Sequence, residues 1–275
     1  MAWNPCSLCR GITIHFAVEW LFSLRGIRTY TTKFCLLLFL SSMGDISFHP
    51  THVAVHVFGH EEKRMKLYHA PGSCSQAICI VLQETGLNTE IIKVNARKHL
   101  LDDGTSYYDL AELGYVPLLQ LDDGTFLREG PVIAQYLADQ RPESGLAPAH
   151  GTRERYRMLE WLNFLTSEVH KGFIPLLYAV AAGRWVDTAR PKLESRYEWI
   201  NQQLAGKQFL MGDVFTIADA YLFALTGWGK ATWMQSVYNA NVDFSLHRHL
   251  QAWYERVRDR STVQRVLSEE GFLDN

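Results

Sequence analysis

Residues 65–86 read MKLYHAPGSCSQAICIVLQETG, and the fold turns on how this stretch divides. MKLYH reads as a short strand, APGS as a turn, and Ser75 to Glu84 as a helix stopped by Gly86. EIIKV, Glu90 to Val94, is the next strand and closes a β-α-β unit. Further along, VPLLQL (Val116 to Leu121) reads as a third strand and Asp123-Gly124 as a hairpin turn. TFL is a fourth strand, and Pro131 to Asp139 (PVIAQYLAD) a helix with proline in its first turn. The order β-α-β-β-β-α needs only one helix layer on a small mixed sheet, which is the economy of a thioredoxin-like domain. The segment between Val94 and Val116 is too polar for a helix to be placed in it.

After the loop Arg141 to Thr152, helical periods continue to the end and no strand candidate follows. The expected organisation is a thioredoxin-like domain over residues 65–143 and an all-helical domain over 152–275. The whole chain has 275 residues, of which 47% are hydrophobic, enough to bury a sizeable core. A net charge of -2 with both signs interspersed leaves no footprint for nucleic acid or an anionic membrane, so neither partner is expected. Five cysteines in a chain of this length argue against a disulfide framework and for free thiols in a reducing, cytoplasmic setting.

Residues 1–64 read differently. They hold five of the eleven histidines and three of the five cysteines, yet show no sustained helical or strand period. The longest apolar run, FCLLLFL from Phe34 to Leu40, is far short of the roughly 18 residues that span a bilayer, and it sits too deep for a secretory signal. Cys6 and Cys9 form a C-x-x-C without a second pair, and His49, His52, His56 and His60 lack a packed scaffold, so no metal is expected there. Glu61-Glu62-Lys63 require purine-rich codons close before the ATG of Met65, as a ribosome-binding site does. The expectation is therefore a native start at Met65, with a disordered tail as the alternative.

Cys74 sits where the turn feeds the first helix. Unpaired backbone N–H groups and the positive end of the helix dipole favour negative charge on its sulfur by about 0.3–1 kcal/mol. Position alone thus predicts an easier thiolate, although a small turn residue without chemistry fits the same place. Position 77 is alanine, so the two-cysteine redox motif is absent; Cys79 lies about 140° around the helix and reads as core packing. Val116-Pro117 opens a strand with a residue that donates no ladder bond and permits a cis peptide, leaving the Val116 backbone open to an extended peptide. Glu129-Gly130 precedes a helix whose N–H groups suit a carboxylate, while Glu129 could hold an ammonium group. A peptide with a thiol, an extended backbone and a zwitterionic end fits these features together, and glutathione has all three.

The motifs MKLYHAPGSCSQA, GYVPLLQLDDG, LREGPVIAQYLAD, EWLNFLTSEVHKGF and GDVFTIADAYLF resemble those of a bacterial glutathione S-transferase of the beta class. They run in order through nearly all of residues 65–275 and cover nothing before Met65. The resemblance implies a thioredoxin-like domain, a following all-helical domain, and a homodimer in which Cys74 faces bound glutathione. Where many relatives carry Asn-Pro-Lys-Gly before the Val-Pro pair, this chain has Ala111-Glu112-Leu113-Gly114, which bears on any glutathione contact from that loop.

In the helix expected over Arg153 to Phe173, Asn163, Ser167, His170 and Lys171 form a polar stripe opposite Leu159, Leu162, Leu165 and Val169. Such a stripe alone would face water. The resemblance implies instead that Asn163, His170 and Lys171 face the glutathione thiol, where His170 could accept a proton and Lys171 stabilise a thiolate. Thr216-x-x-Asp219 is a capping-box variant with a structural reading, worth about 1 kcal/mol. Trp228 matches a family position at the mouth of the electrophile site, with Trp233 nearby, though either also fits a core aromatic. The expected function is attack by the glutathione thiol on a hydrophobic electrophile, with Cys74 against the glutathione sulfur, possible as a mixed disulfide, and no metal. Two other readings stay open: glutathione-dependent thiol–disulfide exchange or reductive dehalogenation at Cys74, and a protein that binds glutathione or apolar ligands without turnover.

Overall fold

A computed structural model describes residues 64–230, 240 and 242–273; the expectations for residues 1–63 and for Trp233 lie outside the described residues. Strand β1 (Met65–His69) leads through the turn to helix α1 (Gln76–Thr85), then to β2 (Thr89–Asn95) and the two-residue β3 (Leu100–Leu101). Next come β4 (Leu118–Gln120), β5 (Phe126–Leu127) and α2 (Gly130–Asp139). The strand order is β3-β2-β1-β4-β5. Strand β1 is central, parallel to β2 with Leu67 opposite Ile91 and antiparallel to β4 with Leu67 opposite Leu119. This is the expected thioredoxin-like mixed sheet. The strand at Val116 is shorter than its sequence suggests, starting only after the Val116-Pro117 pair.

Side chains alternate across this sheet as the pleat demands. Leu67 and Leu119 point into the main core, while Tyr68 and Leu118 point to the other face with Val94, Tyr107 and Ala111. That second face is covered by the polar segment after β2, which contains β3 and one 3-10 turn, Tyr107–Asp109, instead of a helix. A single buried ring suffices there. Tyr107 is fully buried, and its hydroxyl donates to the Tyr115 carbonyl.

Helix α1 shows why its sequence carries so little polarity. Every residue from Gln76 to Leu82 is buried, because α1 packs against the sheet, against α2, and against two helices of the following domain. A helix apolar all round is the signature of burial on every face. Gly86 ends it in the left-handed conformation, φ 64°, donating its N–H to Leu82.

The helical domain runs α3 (Arg153–Phe164), α4 (Lys171–Leu177), α5 (Ala179–Ala182), α6 (Val186–Gln203), α7 (Ile217–Lys230), α8 (Arg248–Arg258) and α9 (Ser261–Glu270). The helix expected to run unbroken from Arg153 to Phe173 is interrupted: Leu165–His170 forms a π-helical segment between α3 and α4. Within it Thr166 Oγ1 donates to the Leu162 carbonyl and Ser167 Oγ to that of Asn163, local bonds that compete with the regular ladder. The wider turn changes the register of everything after Ser167. Leu162, Leu165 and Val169 face the core and Asn163, Ser167 and Lys171 stay exposed, while His170 leaves the polar stripe and bonds Tyr221.

Among the described residues, two arginine–carboxylate ion pairs join the domains. Arg155, buried on α3, forks onto both carboxylate oxygens of Asp139 on α2 at 2.8 and 3.0 Å and also reaches Gln135. Arg260, just before α9, does the same to Glu84 on α1 at 2.8 and 2.9 Å. Ahead of α7, the capping box forms as the sequence suggests, with Thr216 N–H and Oγ1 donating to Asp219. Asp219 reaches further than a cap. It is fully buried, and its other oxygen accepts from Leu210 N–H and the Trp253 indole N–H. Replacing Asp219 by alanine strands those buried donors and is expected to cost about 3 kcal/mol, against about 1 kcal/mol for Thr216→Val. Denaturant unfolding of both variants measures this; equal, small losses would show that Asp219 is only a cap.

Candidate functional site

Cys74 lies in the last turn before α1. Ser75, at the helix N-terminus, organises this turn: its Oγ accepts from Ala70 N–H at 3.2 Å and meets Ser73 Oγ at 2.6 Å and His69 Nδ1 at 2.7 Å. Across from it, the Val116-Pro117 peptide is cis, and the Cys74 thiol donates to the Val116 carbonyl at 3.4 Å. The Val116 carbonyl, expected to be open, is thus engaged by the cysteine itself. Gly130 begins α2 beside this proline, where an added Cβ would stand 3.8 Å from the Pro117 ring. Gly114, in the loop that departs from the family pattern, has φ +66°, and a Cβ there would meet His99 and Tyr108 at 2.7 Å. Only glycine fits that corner.

Burial pushes the Cys74 thiol up to about 12. Its own backbone N–H and that of Ser75 lower it, as does the Lys171 charge, while Glu129 raises it. Burial thus opposes the easier thiolate that position alone predicts, and magnitudes say why. A rise from 9.0 to about 12 corresponds to roughly 4 kcal/mol, more than the ~0.3–1 kcal/mol that a helix N-terminus offers. In the unliganded chain burial opposes ionisation of the Cys74 thiol, which donates to the Val116 carbonyl.

Glu129 occupies the position before α2 with φ 66° and ψ 115°, backbone angles unusual for a residue with a side chain. Its side chain is exposed and makes no capping bond, so the carboxylate faces outward beside the open end of α2. Such strain fits a residue held for a ligand.

From the helical domain, His170 and Lys171 arrive at the end of the π segment. Lys171 is exposed; His170 turns inward, its Nδ1 sharing a 2.7 Å hydrogen bond with the Tyr221 hydroxyl. Burial, and to a lesser degree Lys171, lowers the His170 pKa to about 4, so the ring is neutral at neutral pH and a weak proton acceptor. Tyr221 was missed by the sequence reading, although it lies inside the quoted GDVFTIADAYLF. A buried tyrosine needs a partner for its hydroxyl, and that was the available signal. Burial holds its phenol protonated, with Cys74 and Glu129 both adding to the effect.

Asn163 is exposed and its amide donates back to the Leu159 carbonyl within α3. Trp228 is buried in the core. Its ring lies edge-on to His170 at 5.1 Å, and its indole N–H donates to the Gly72 carbonyl at 2.8 Å. A separate cleft of about 500 Å³ between α3 and α6, lined by Trp161, Phe164 and Trp199, includes none of these groups.

A cysteine at a strand-turn-helix junction opposite a cis-proline, in a thioredoxin-like domain followed by a helical domain, defines the class of fold. The sequence patterns of the glutathione S-transferase N-terminal and C-terminal domains match residues 72–140 and 166–261. The chain belongs to the glutathione S-transferase family. The glutathione S-transferase GstA of Escherichia coli O157:H7 is 38% identical over 207 residues, which are 75% of this chain and 99% of that protein. Among solved structures, the beta-class glutathione S-transferase of Sphingomonas chungbukensis superposes with a TM-score of 0.69 at 35% identity, covering 75% of this chain and 99% of its own. A sphingomonad glutathione S-transferase complexed with glutathione gives the same score and identity over 75% and 98%. Within the family, the likeness is thus to the bacterial beta class.

No helix among the described residues is long and apolar enough to cross a membrane. A thiol raised to about 12 makes a direct prediction for the chain without glutathione. Alkylation of Cys74, followed by mass spectrometry of its peptide, should keep accelerating as pH rises beyond the ordinary thiol value of about 8.5. A rate that levels off near pH 7 would mean that the helix N-terminus prevails over burial.

Proposed function

We propose that this glutathione S-transferase joins the glutathione sulfur to hydrophobic electrophiles, with the protonated Cys74 thiol donating a hydrogen bond to that sulfur as it ionises. The observation that carries this reading is the Cys74 thiol at a helix N-terminus, opposite the cis Val116-Pro117 peptide and donating to the Val116 carbonyl. Such a group favours a neighbouring thiolate; as a nucleophile at neutral pH it would be almost wholly inactive. Thiol–disulfide exchange or reductive dehalogenation at Cys74 would require the thiolate that burial opposes.

The other residues divide the ligand among them. The Val116 backbone beside Pro117 receives the extended cysteinyl part of glutathione, and Glu129 with the Gly130 end of α2 receives its zwitterionic end. Lys171 adds positive charge, and its influence on the Cys74 thiol supports a place near the sulfur. His170 orients the Tyr221 hydroxyl rather than taking the proton, in keeping with its lowered pKa. Asn163 lies at the rim. Trp228 fixes the turn through Gly72 and, with its edge toward His170, backs the electrophile side. In the reaction the glutathione thiol proton leaves to solvent, the sulfur lone pair forms the bond to carbon, and the leaving group departs with its electrons.

The test is the pKa of bound glutathione, read from thiolate absorbance in Cys74→Ala. Loss of a charge-assisted hydrogen bond of about 1.5–3 kcal/mol should raise that pKa by about 1–2 units and lower kcat accordingly, with Cys74→Ser closer to the parent. An unchanged bound-thiol pKa, together with loss of disulfide exchange, would transfer the cysteine's role to exchange. No rate above buffer with any of several electrophiles, despite tight glutathione binding, would leave a non-catalytic binding protein.

A homodimer belongs to the same proposal. Leu113, Tyr115, Val132 and Tyr156 are exposed apolar residues on the loop, α2 and α3, side chains of the kind that an interface would cover. Sedimentation should give twice the chain mass at micromolar concentration; a single-chain mass would end this part of the reading.

A further inference from the structure

Next to the turn that carries Cys74, three side chains converge from three separate elements. They are His69 at the end of β1, Cys79 on α1 and Glu270 at the end of α9. One ligand atom of each, an imidazole nitrogen, a thiol sulfur and a carboxylate oxygen, lies within 4.8 Å of the other two. We propose that this cluster is a binding site for one divalent cation of the zinc type.

The carboxylate gives the first argument. Glu270 Oε2 is fully used, accepting from Gly72 N–H at 2.8 Å and from the Gln76 amide at 2.9 Å. Its Oε1 is buried and has no hydrogen-bond partner, although His69 Nε2 approaches to 3.3 Å. The His69 and Glu270 side chains are each only 4% exposed. A buried carboxylate oxygen that meets only an imidazole nitrogen, outside hydrogen-bond geometry, is poorly satisfied, and a cation between the two would satisfy both. One oxygen is anchored and the other is presented.

Geometry gives the second. A tetrahedral centre with metal–nitrogen and metal–oxygen bonds of about 2.1 Å sets those two atoms about 3.4 Å apart. The observed 3.3 Å between His69 Nε2 and Glu270 Oε1 matches that span. The His69 ring is already held by the bond between its Nδ1 and Ser75 Oγ at 2.7 Å, the outer support that ligand histidines use. Nitrogen, thiolate and carboxylate together suit zinc better than calcium or magnesium, which take oxygen sets.

Binding balances in charge. Cys79 releases its thiol proton to solvent as the sulfur–metal bond forms, and His69 gives its Nε2 lone pair with its ring proton on Nδ1, toward Ser75 Oγ. The cation's two positive charges meet one thiolate and one carboxylate, so the buried site is neutral overall. Because Glu270 Oε2 keeps Gly72 and Gln76, an occupied site braces the turn that carries Cys74.

The test uses the full chain with Cys6, Cys9 and Cys35 replaced by serine, freed of metal by a chelator, and cadmium as the first probe. One equivalent should produce an ultraviolet sulfur-to-cadmium charge-transfer band that survives Cys74→Ser and vanishes in Cys79→Ser. Zinc should raise the melting temperature of the parent and leave that of Cys79→Ser unmoved. Glu270→Gln should weaken cadmium binding at least tenfold while still giving the band at saturation. No band in the parent, or a band that persists in Cys79→Ser, overturns the proposal. Should Cys79→Ser fail to fold, Glu270→Gln decides it, and unchanged affinity there overturns it equally.

Discussion

Burial of helix α1 on every face is the constraint on which the rest of this molecule depends. A helix with Ala77, Ile78, Cys79, Ile80, Val81 and Leu82 all buried cannot be finished by the sheet alone, since a sheet covers one side of it. The helical domain supplies the remainder, and the main core therefore runs without a break from Leu67 and Ile133 to Phe223 and Val266. The turn before α1 inherits this arrangement. Gly72 gives its N–H to Glu270 and its carbonyl to the Trp228 indole, both from the helical domain, while its neighbours are tied by Ser75 to β1. The position of the Cys74 sulfur is consequently set by both domains at once.

The same burial sets the chemistry of that sulfur. A helix N-terminus, two backbone N–H groups and a lysine all favour a thiolate, but their sum is smaller than the cost of taking the charge out of water. A cysteine so placed suits donation of a hydrogen bond. It also separates two tasks that a two-cysteine redox motif combines, because position 77 is alanine and the nearby Cys79 faces the core.

Much of the fold was legible because its signals are local. Gly86, Pro71-Gly72, Asp123-Gly124 and the proline of α2 each fix a backbone feature within a few residues, and the strands between them follow. The cover of the second sheet face was not legible, because it is a loop carrying one buried ring, Tyr107, and no periodic pattern marks such a segment. Nor was the π segment: its register change comes from Thr166 and Ser167 bonding back to the preceding turn, which a regular spacing count passes over. At the site, Cys74, the Val116-Pro117 pair and Glu129 could be located from turn and helix signals. Tyr221 and Glu270 could not, as they reach the site from 147 and 196 positions further along the chain, by the difference of their numbers from Cys74. The burial that opposes a Cys74 thiolate was hidden for a related reason: a helix end is visible in sequence, whereas desolvation depends on what folds over it.

The unbroken core and the two forked ion pairs, Arg155 with Asp139 and Arg260 with Glu84, bear on how this protein can be cut and rejoined. A fragment ending before Thr152 would expose the outer face of α1, and a fragment beginning there would expose the surface that received it. Neither half closes its own core, because the core cluster runs through both. Recombination between relatives at the 141–152 loop must then preserve the α1 contact on both sides, which makes the apparent linker a poor place to exchange parts.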